Sequence, residues 1–364
     1  MSHQEIVAVS SLESPIHATR KDPKIISAVW FIGKRCNYDC SYCSPFIHDN
    51  YSPHISYKSA CEFVDSLSEH CQQVRKKVKF IISGGEPFIH PDFLKILEHI
   101  DTKSNVAMLA VVTNGTLPLG MYKKSAKYIT NLTVSLHLEQ SRAVTQKTVE
   151  KIIELSKIDS WLFSVNLMAV PGKLELIEEI ESVLKEHEIN YVLRKIDPPS
   201  DQHYKKLTKK EYAEQGEDID QYFQDKISFK NYTNAQLDEY WKSYYSTEEL
   251  QYLGLSNKNI GWNNIRLHTA DGYTETNTDV LKSQGSNSWK NWQCYIGIDS
   301  LNIQFDGTVY RGQCMVGDPI GKIGDTINWP TAAITCPLKY CECNADMTIR
   351  KAKSQEYLEK IDES

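Results

Sequence analysis

Cys36, Cys40 and Cys43 fall within eight positions of one short stretch, "WFIGKRCNYDCSYC", residues 30–43. Thiolates so spaced are soft metal ligands, but three are one short of the closed tetrahedral set of a structural zinc site. No neighbouring Cys completes the set, although His48 and His54 follow closely. Iron–sulfur cubes also take thiolates, normally four. A cube held by three leaves one iron open to a substrate or cofactor. A second group, Cys294, Cys314, Cys336, Cys341 and Cys343, lies near the other end of the chain. Five thiols suffice for one closed cube with one to spare, or for zinc. The last two of the ten cysteines, Cys61 and Cys71, belong to a segment of helical periodicity and read as packing residues.

These thiols need elements to position them. Residues 27–198 read as six apolar strands (27–33, 78–87, 106–116, 131–139, 161–170 and 190–198) alternating with five amphipathic helices. Near-continuous apolar strands are expected where both faces of a sheet are covered. The right-handed βα rule makes them a parallel sheet or barrel. In such barrels the chemistry sits on the loops after the strands' C-terminal ends. The polar motifs lie at those ends: the cysteine triplet, "SGGEP", "TNG", "SLHLE", "NLM" and "RKIDP". Residues 199–261 shift to Tyr, Lys, Asp and Asn and read as a polar helical insertion over the barrel rim. Residues 262–348 look β-rich, with hairpin signals at Asp271-Gly272 and Asp306-Gly307. Residues 1–26 form an N-terminal extension and 349–364 a polar tail ending in a short helix.

The triplet, with Tyr42 just before its last cysteine, resembles the signature of radical S-adenosylmethionine (radical SAM) enzymes. "SGGEP" (Ser83–Pro87) is similar to that family's glycine-rich motif, and "TNG" and Ser135 have counterparts there. The resemblance covers roughly residues 27–198. It implies an α/β fold, a partial (βα)6 TIM-type barrel. It also implies a [4Fe–4S] cluster on Cys36, Cys40 and Cys43 whose open iron chelates S-adenosylmethionine. Reductive cleavage of that cofactor gives a 5′-deoxyadenosyl radical that takes a substrate hydrogen. Tyr42, Gly84, Gly85, Glu86, Thr113, Asn114, Ser135, Asn166 and Arg194 are the candidate S-adenosylmethionine-binding residues. The glycines would let the cofactor approach closely, and Glu86 would accept from its ammonium group. His137 should share a face with Ser135. The sequence assigns no catalytic residue.

The second cysteine group resembles the SPASM or twitch extension of such enzymes, a hairpin-containing domain with auxiliary clusters. That implies a second [4Fe–4S] cluster on four of its five thiols. "DGTVYRGQC" and "CPLKYCEC" depart from the commoner spacings, and zinc is the alternative. The favoured activity is dehydrogenation or epimerisation of a small polar, sugar-like molecule. A ribosomal-peptide maturase is the second reading, although only about 26 residues precede the first strand, too few for a peptide-recognition domain. A non-catalytic iron–sulfur electron carrier or sensor explains the thiols but not the strand-end polar groups. A reducing donor such as flavodoxin or ferredoxin is the expected partner. The formal net charge of −6 argues against nucleic acid. No apolar run approaches the ~18 residues of a membrane span, and the polar N-terminus lacks a signal-peptide core. The expected setting is a reducing cytoplasm, where ten cysteines do not form a disulfide framework.

Overall fold

In the computed structural model the described residues are 15–19, 24–43, 48–196, 242, 245–256, 264–269, 272–341, 343–354 and 356–357. After β1 (His17–Thr19), strands and helices alternate. They are β2 (Ile25–Phe31), α1 (Tyr57–Gln73), β3 (Lys77–Ser83), α2 (Phe93–Asp101), β4 (Val106–Thr113) and α3 (Leu119–Ser125). β5 (Asn131–His137), α4 (Arg142–Ser156), β6 (Leu162–Ala169), α5 (Leu174–Glu186) and β7 (Tyr191–Lys195) follow. β2 through β7 pair in parallel, in chain order. These are the six strands and five helices of the expected partial barrel.

β2 buries its five central residues, and β3, β5 and β6 after it bury alternate residues against the helices: Val78, Phe80 and Ile82 on β3, Leu132, Val134 and Leu136 on β5, Val165 and Leu167 on β6. With a side-chain period of two, the residues between them face the barrel interior. The inner face therefore carries Asn131, Thr133, Ser135 and His137 from β5, Ser164 and Asn166 from β6, and Arg194 from β7.

The later elements are α6 (Thr247–Ser256), β8 (Asn264–Thr269), β9 (Gly272–Asn277), α7 (Thr278–Ser283), β10 (Gln293–Cys294), β11 (Ser300–Ile303) and β12 (Thr308–Tyr310). Then come β13 (Gly321–Lys322), β14 (Ile334–Thr335), α8 (Asn344–Met347) and β15 (Lys351–Ala352). β8 with β9 and β11 with β12 are antiparallel hairpins. β11 also pairs in parallel with β2, so the barrel sheet continues to nine strands, β13-β12-β11-β2-β3-β4-β5-β6-β7. A second sheet runs β14-β10-β15-β1-β8-β9. Both sheets cross the boundaries drawn from composition. The N-terminal extension supplies β1 to the second sheet, the tail supplies β15, and the 262–348 unit supplies three strands to the barrel sheet. Strands of two or three residues carry too little periodicity to be read from sequence.

Asp299, fully buried, ties these parts together. It accepts from Arg350 Nε at 2.7 Å and Nη2 at 2.8 Å, and from Lys76 Nζ at 2.5 Å. Most of the polar insertion predicted over the rim lies outside the described residues. At its end, Tyr245 Oη donates to the Ala169 carbonyl at 2.7 Å and accepts from the Ile196 amide at 2.9 Å, beside the ends of β6 and β7. No helix among the described residues is long and apolar enough to cross a membrane.

Candidate cofactor and cluster site

The cysteine loop leaves β2 at the barrel rim and is clamped from two sides. On one side, the Gly85 amide donates to the Gly33 carbonyl at 2.9 Å and the Glu86 amide to the Arg35 carbonyl at 2.7 Å. On the other, the Cys36 amide donates to the Asp49 carbonyl at 2.8 Å. The buried Asp49 carboxylate in turn takes the amides of Tyr51 at 3.1 Å and Ser52 at 2.9 Å. The double glycine belongs to this clamp. A Cβ on Gly85 would stand 2.0 Å from the Arg35 carbonyl oxygen, and one on Gly84, at φ +138°, 2.6 Å from that of Gly33. The bare backbone that the sequence suggested for cofactor approach is required by close passage of the cysteine loop over the end of β3.

Cys40 is buried, while Cys36 and Cys43 are half-buried. N–H donors point at sulfur: the Tyr38 amide at 3.4 Å and Asn114 Nδ2 at 3.6 Å from Cys36 Sγ, and Gln140 Nε2 at 4.0 Å from Cys40 Sγ. Such donors suit thiolates. Burial, then the neighbouring Cys43 thiol, push Cys40 up to about 12, so metal must displace a tightly held proton. Among the described residues no three His, Cys, Asp or Glu are drawn together tightly enough to hold a single metal ion. A cluster makes a looser demand, because each thiolate binds its own iron. Three thiols on one loop with donors aimed at them fit that group.

Tyr42 Oη and His137 Nδ1 are 2.5 Å apart, their rings stacked at 15°. Burial lowers His137 to about 4 and raises the Tyr42 phenol. The imidazole is therefore neutral at pH 7, and the phenol donates to Nδ1, leaving the proton on Nε2. His137 Nδ1 also lies 3.6 Å from Cys40 Sγ, so this residue of β5 touches the cysteine loop as well as sharing the face of Ser135.

Glu86 sits elsewhere than the sequence suggested. It is buried, and its carboxylate is taken by the protein: Oε1 accepts from the Phe88 amide at 3.0 Å and Thr113 Oγ1 at 2.8 Å, Oε2 from the Asn114 amide at 2.7 Å. Burial raises it to about 7, with the three donors pulling the other way. Glu86 and Thr113 thus staple the ends of β3 and β4 behind the site, instead of presenting themselves to a ligand. Asn114 reaches forward, Nδ2 donating to Asn37 Oδ1 at 2.9 Å on the cysteine loop. Asn37 Nδ2 returns a bond to Thr116 Oγ1 at 2.7 Å.

Ser135, Asn166 and Arg194 form a row across the inner face. Asn166 Nδ2 donates to Ser135 Oγ at 3.5 Å, and Arg194 Nε to Asn166 Oδ1 at 3.3 Å. The cysteine loop is fixed near this row by the Ser41 amide donating to Glu139 Oε2 at 2.8 Å. Sequence reasoning missed Asn37 and Glu139. Asn37 carried a usable signal, an amide side chain directly after the first cysteine.

The second cysteine group also converges. Cys294, Cys314 and Cys341 are buried, and burial is the main cause that raises each thiol; Cys336 adds to the rise at Cys294, Asp346 and then Cys341 and Cys294 at Cys314, and Cys343, Asp346 and Cys294 at Cys341. Cys336 packs beside Cys294 and Cys314, and Cys343 acts on Cys341. Two polar atoms there are buried without a partner among the described residues, Trp289 Nε1 and Asp346 Oδ1. Soft ligands around an unmet indole donor fit a cluster whose sulfides accept hydrogen bonds.

Residues 30–158 match the Radical SAM superfamily. GTP 3′,8-cyclase of Listeria welshimeri is 26% identical over 160 residues, 42% of this chain and 47% of that one. GTP 3′,8-cyclase of Aliarcobacter butzleri is 32% identical over 135 residues, 34% of this chain and 39% of that one. The chain thus spans less than half the length of these curated relatives. Native anSMEcpe with bound AdoMet aligns at 15% identity with a TM-score of 0.46, over 83% of this chain and 79% of that one. The family match runs from the end of β2 through α4 and so contains the whole Cys36–Cys43 loop, which places residues 30–158 with the radical SAM superfamily, whose members use a [4Fe–4S] cluster and S-adenosylmethionine.

Proposed function

We propose that this enzyme cleaves S-adenosylmethionine reductively and takes a hydrogen atom from a small hydroxyl- or amino-bearing molecule held inside the barrel, dehydrogenating or epimerising it. Cys36, Cys40 and Cys43 hold the first cluster. Cys294, Cys314 and Cys341, with Cys336 or Cys343, hold a second. The bound cofactors supply one-electron cleavage of the sulfonium bond and the 5′-deoxyadenosyl radical. The chain supplies position: Ser135, Asn166 and Arg194 hold the ribose and carboxylate of the cofactor, and Tyr42, oriented by His137, borders its adenine. A reduced flavodoxin or ferredoxin delivers the electron in a reducing compartment.

The observation that carries the substrate class is the polarity of the inner face. Barrel interiors are usually filled with Val, Ile and Leu; here Asn131 and Asn302 each bury a side-chain oxygen with no hydrogen-bond partner among the described residues. The register pairs Asn302 with Val29, Val29 with Ile81, Ile81 with Ala110, and Ala110 with Asn131, so both occupy one layer. An unmet buried acceptor costs about 1–3 kcal/mol, which a ligand's O–H or N–H offsets. The GTP 3′,8-cyclases resemble the chain only along part of the barrel, and their substrate is not carried over.

Anaerobic reconstitution should yield about eight iron per chain; about four removes the second cluster. Reductant and S-adenosylmethionine should release 5′-deoxyadenosine, faster with a sugar or aminocyclitol that fits. Asn302→Leu should abolish that acceleration while basal release persists. No release under any reducing condition would overturn the enzyme reading.

A further inference from the structure

Lys351 is 1% exposed, in β15. Its Nζ donates to the carbonyls of Asp346, Met347 (3.1 Å) and Ile349 (3.3 Å). Carbonyls satisfy the N–H donors but leave the charge uncancelled. No carboxylate among the described residues is paired with it; Asp346, the acidic neighbour, turns Oδ2 to the Cys314 amide at 2.8 Å. The soft groups that Lys351 faces are thiols, and the Asp346 carboxylate acts on the same two, Cys294 and Cys341. β10 and β15 are antiparallel with Cys294 directly opposite Lys351, a position whose side chain shares the same face. The ammonium acts electrostatically on Cys294 and on Cys341. It also stands 5.6 Å from the Trp289 ring, whose Nε1 has no partner among the described residues.

We propose that Lys351 is the charge partner of the second cluster, lying against the Cys294 and Cys341 thiolates and raising its reduction potential. The inference rests on the second-cluster reading above. A thiolate-ligated cube carries net negative charge and becomes more negative on reduction, so a fixed cation beside it favours the reduced form. Such a cluster is a better one-electron acceptor than the same cube without the lysine. Lys351 is a tuning residue and touches no reacting atom.

The test uses the full chain with Cys36, Cys40 and Cys43 all changed to alanine, so that any cluster formed belongs to the second group. Anaerobic reconstitution and a redox titration followed by electron paramagnetic resonance give its midpoint. If this parent protein assembles no cluster, the second-cluster reading falls and the inference with it. With a cluster present, K351Q and K351M should shift the oxidised-to-reduced ratio at fixed poise at least tenfold toward oxidised, 59 mV for one electron. K351R, which keeps the charge, should restore it. A shift under twofold in both neutral variants overturns the proposal, even though a cluster exists. If the neutral variants cannot hold the cluster, retention in K351R supports the charge role; loss there too overturns it.

Discussion

Glu86→Gln separates the two forces acting on a carboxylate buried at the end of β3. Burial raises its pKa from 4.5 to about 7. Between those values the folded protein keeps a proton that the unfolded chain has released. The folded state then binds more protons, so stability falls as pH rises through this window. The displacement corresponds to about 3 kcal/mol of stability, fully present below about pH 4.5 and fully lost above about pH 7. Glutamine has the same shape and no charge. Its amide sets one N–H donor against the Phe88 or Asn114 amide, a roughly constant 1–2 kcal/mol penalty at every pH. Urea unfolding of both proteins, anaerobically from pH 5 to 8, gives the difference in stability at each pH. Other titrating groups and the clusters are common to both and cancel. The variant should be the less stable protein at pH 5 and gain about 2.5 kcal/mol relative to wild type by pH 8. A difference that stays flat with pH would refute the reasoning: the three donors would then hold the carboxylate at its ordinary pKa despite burial.

Gly85→Ala places a methyl 2.0 Å from the Arg35 carbonyl oxygen, and overpacking against backbone should cost about 3 kcal/mol or more and lower the iron bound per chain. Asp299→Ala strands the buried Arg350 guanidinium and the Lys76 ammonium. Breaking such a pair costs about 3–5 kcal/mol, and proteolysis should then cut near β15 and β11 well before wild type is cut. Cys40→Ala should abolish 5′-deoxyadenosine release, whereas Cys61→Ala on α1 should leave it near wild type; equal loss in both would remove the cluster assignment.

The barrel was legible because its signals are local. Seven- and eight-residue strands such as Lys77–Ser83 and Val106–Thr113 hold enough consecutive apolar residues to declare themselves, and their polar ends mark one rim. Ser135, Asn166 and Arg194 could be placed on that rim from strand position alone. What they touch could not, since a contact between β5, β6 and β7 is set by register. Glu86 shows the limit most clearly. A glutamate after two glycines at a strand end reads as a ligand contact, and only the fold reveals three protein donors already on its carboxylate. β1, β10, β14 and β15 were illegible for a different reason: they have two or three residues each and are strands only because distant chain segments pair with them.

The pairing of β11 with β2 fixes where the two cysteine groups stand. β2 ends in the Cys36 loop, at the C-terminal rim. β11 runs parallel to β2, so Cys294, before β11, enters from the opposite end. β12 returns antiparallel and delivers Cys314 to that same opposite end. The tip of this hairpin points back toward the rim, where Lys34 of the cysteine loop stands 4.3 Å over the Phe305 ring. Strands rise about 3.3 Å per residue, so the groups are held apart by roughly the length of a barrel strand. Between them lies the inner face with Asn131 and Asn302. A linker between separate domains would let that spacing drift. A continuous hydrogen-bonded sheet, locked by Asp299 to Lys76 and Arg350, does not. A molecule held in the barrel would therefore have the Cys36–Cys43 thiols at one end and a second set of thiols at the other, at distances set by strand register.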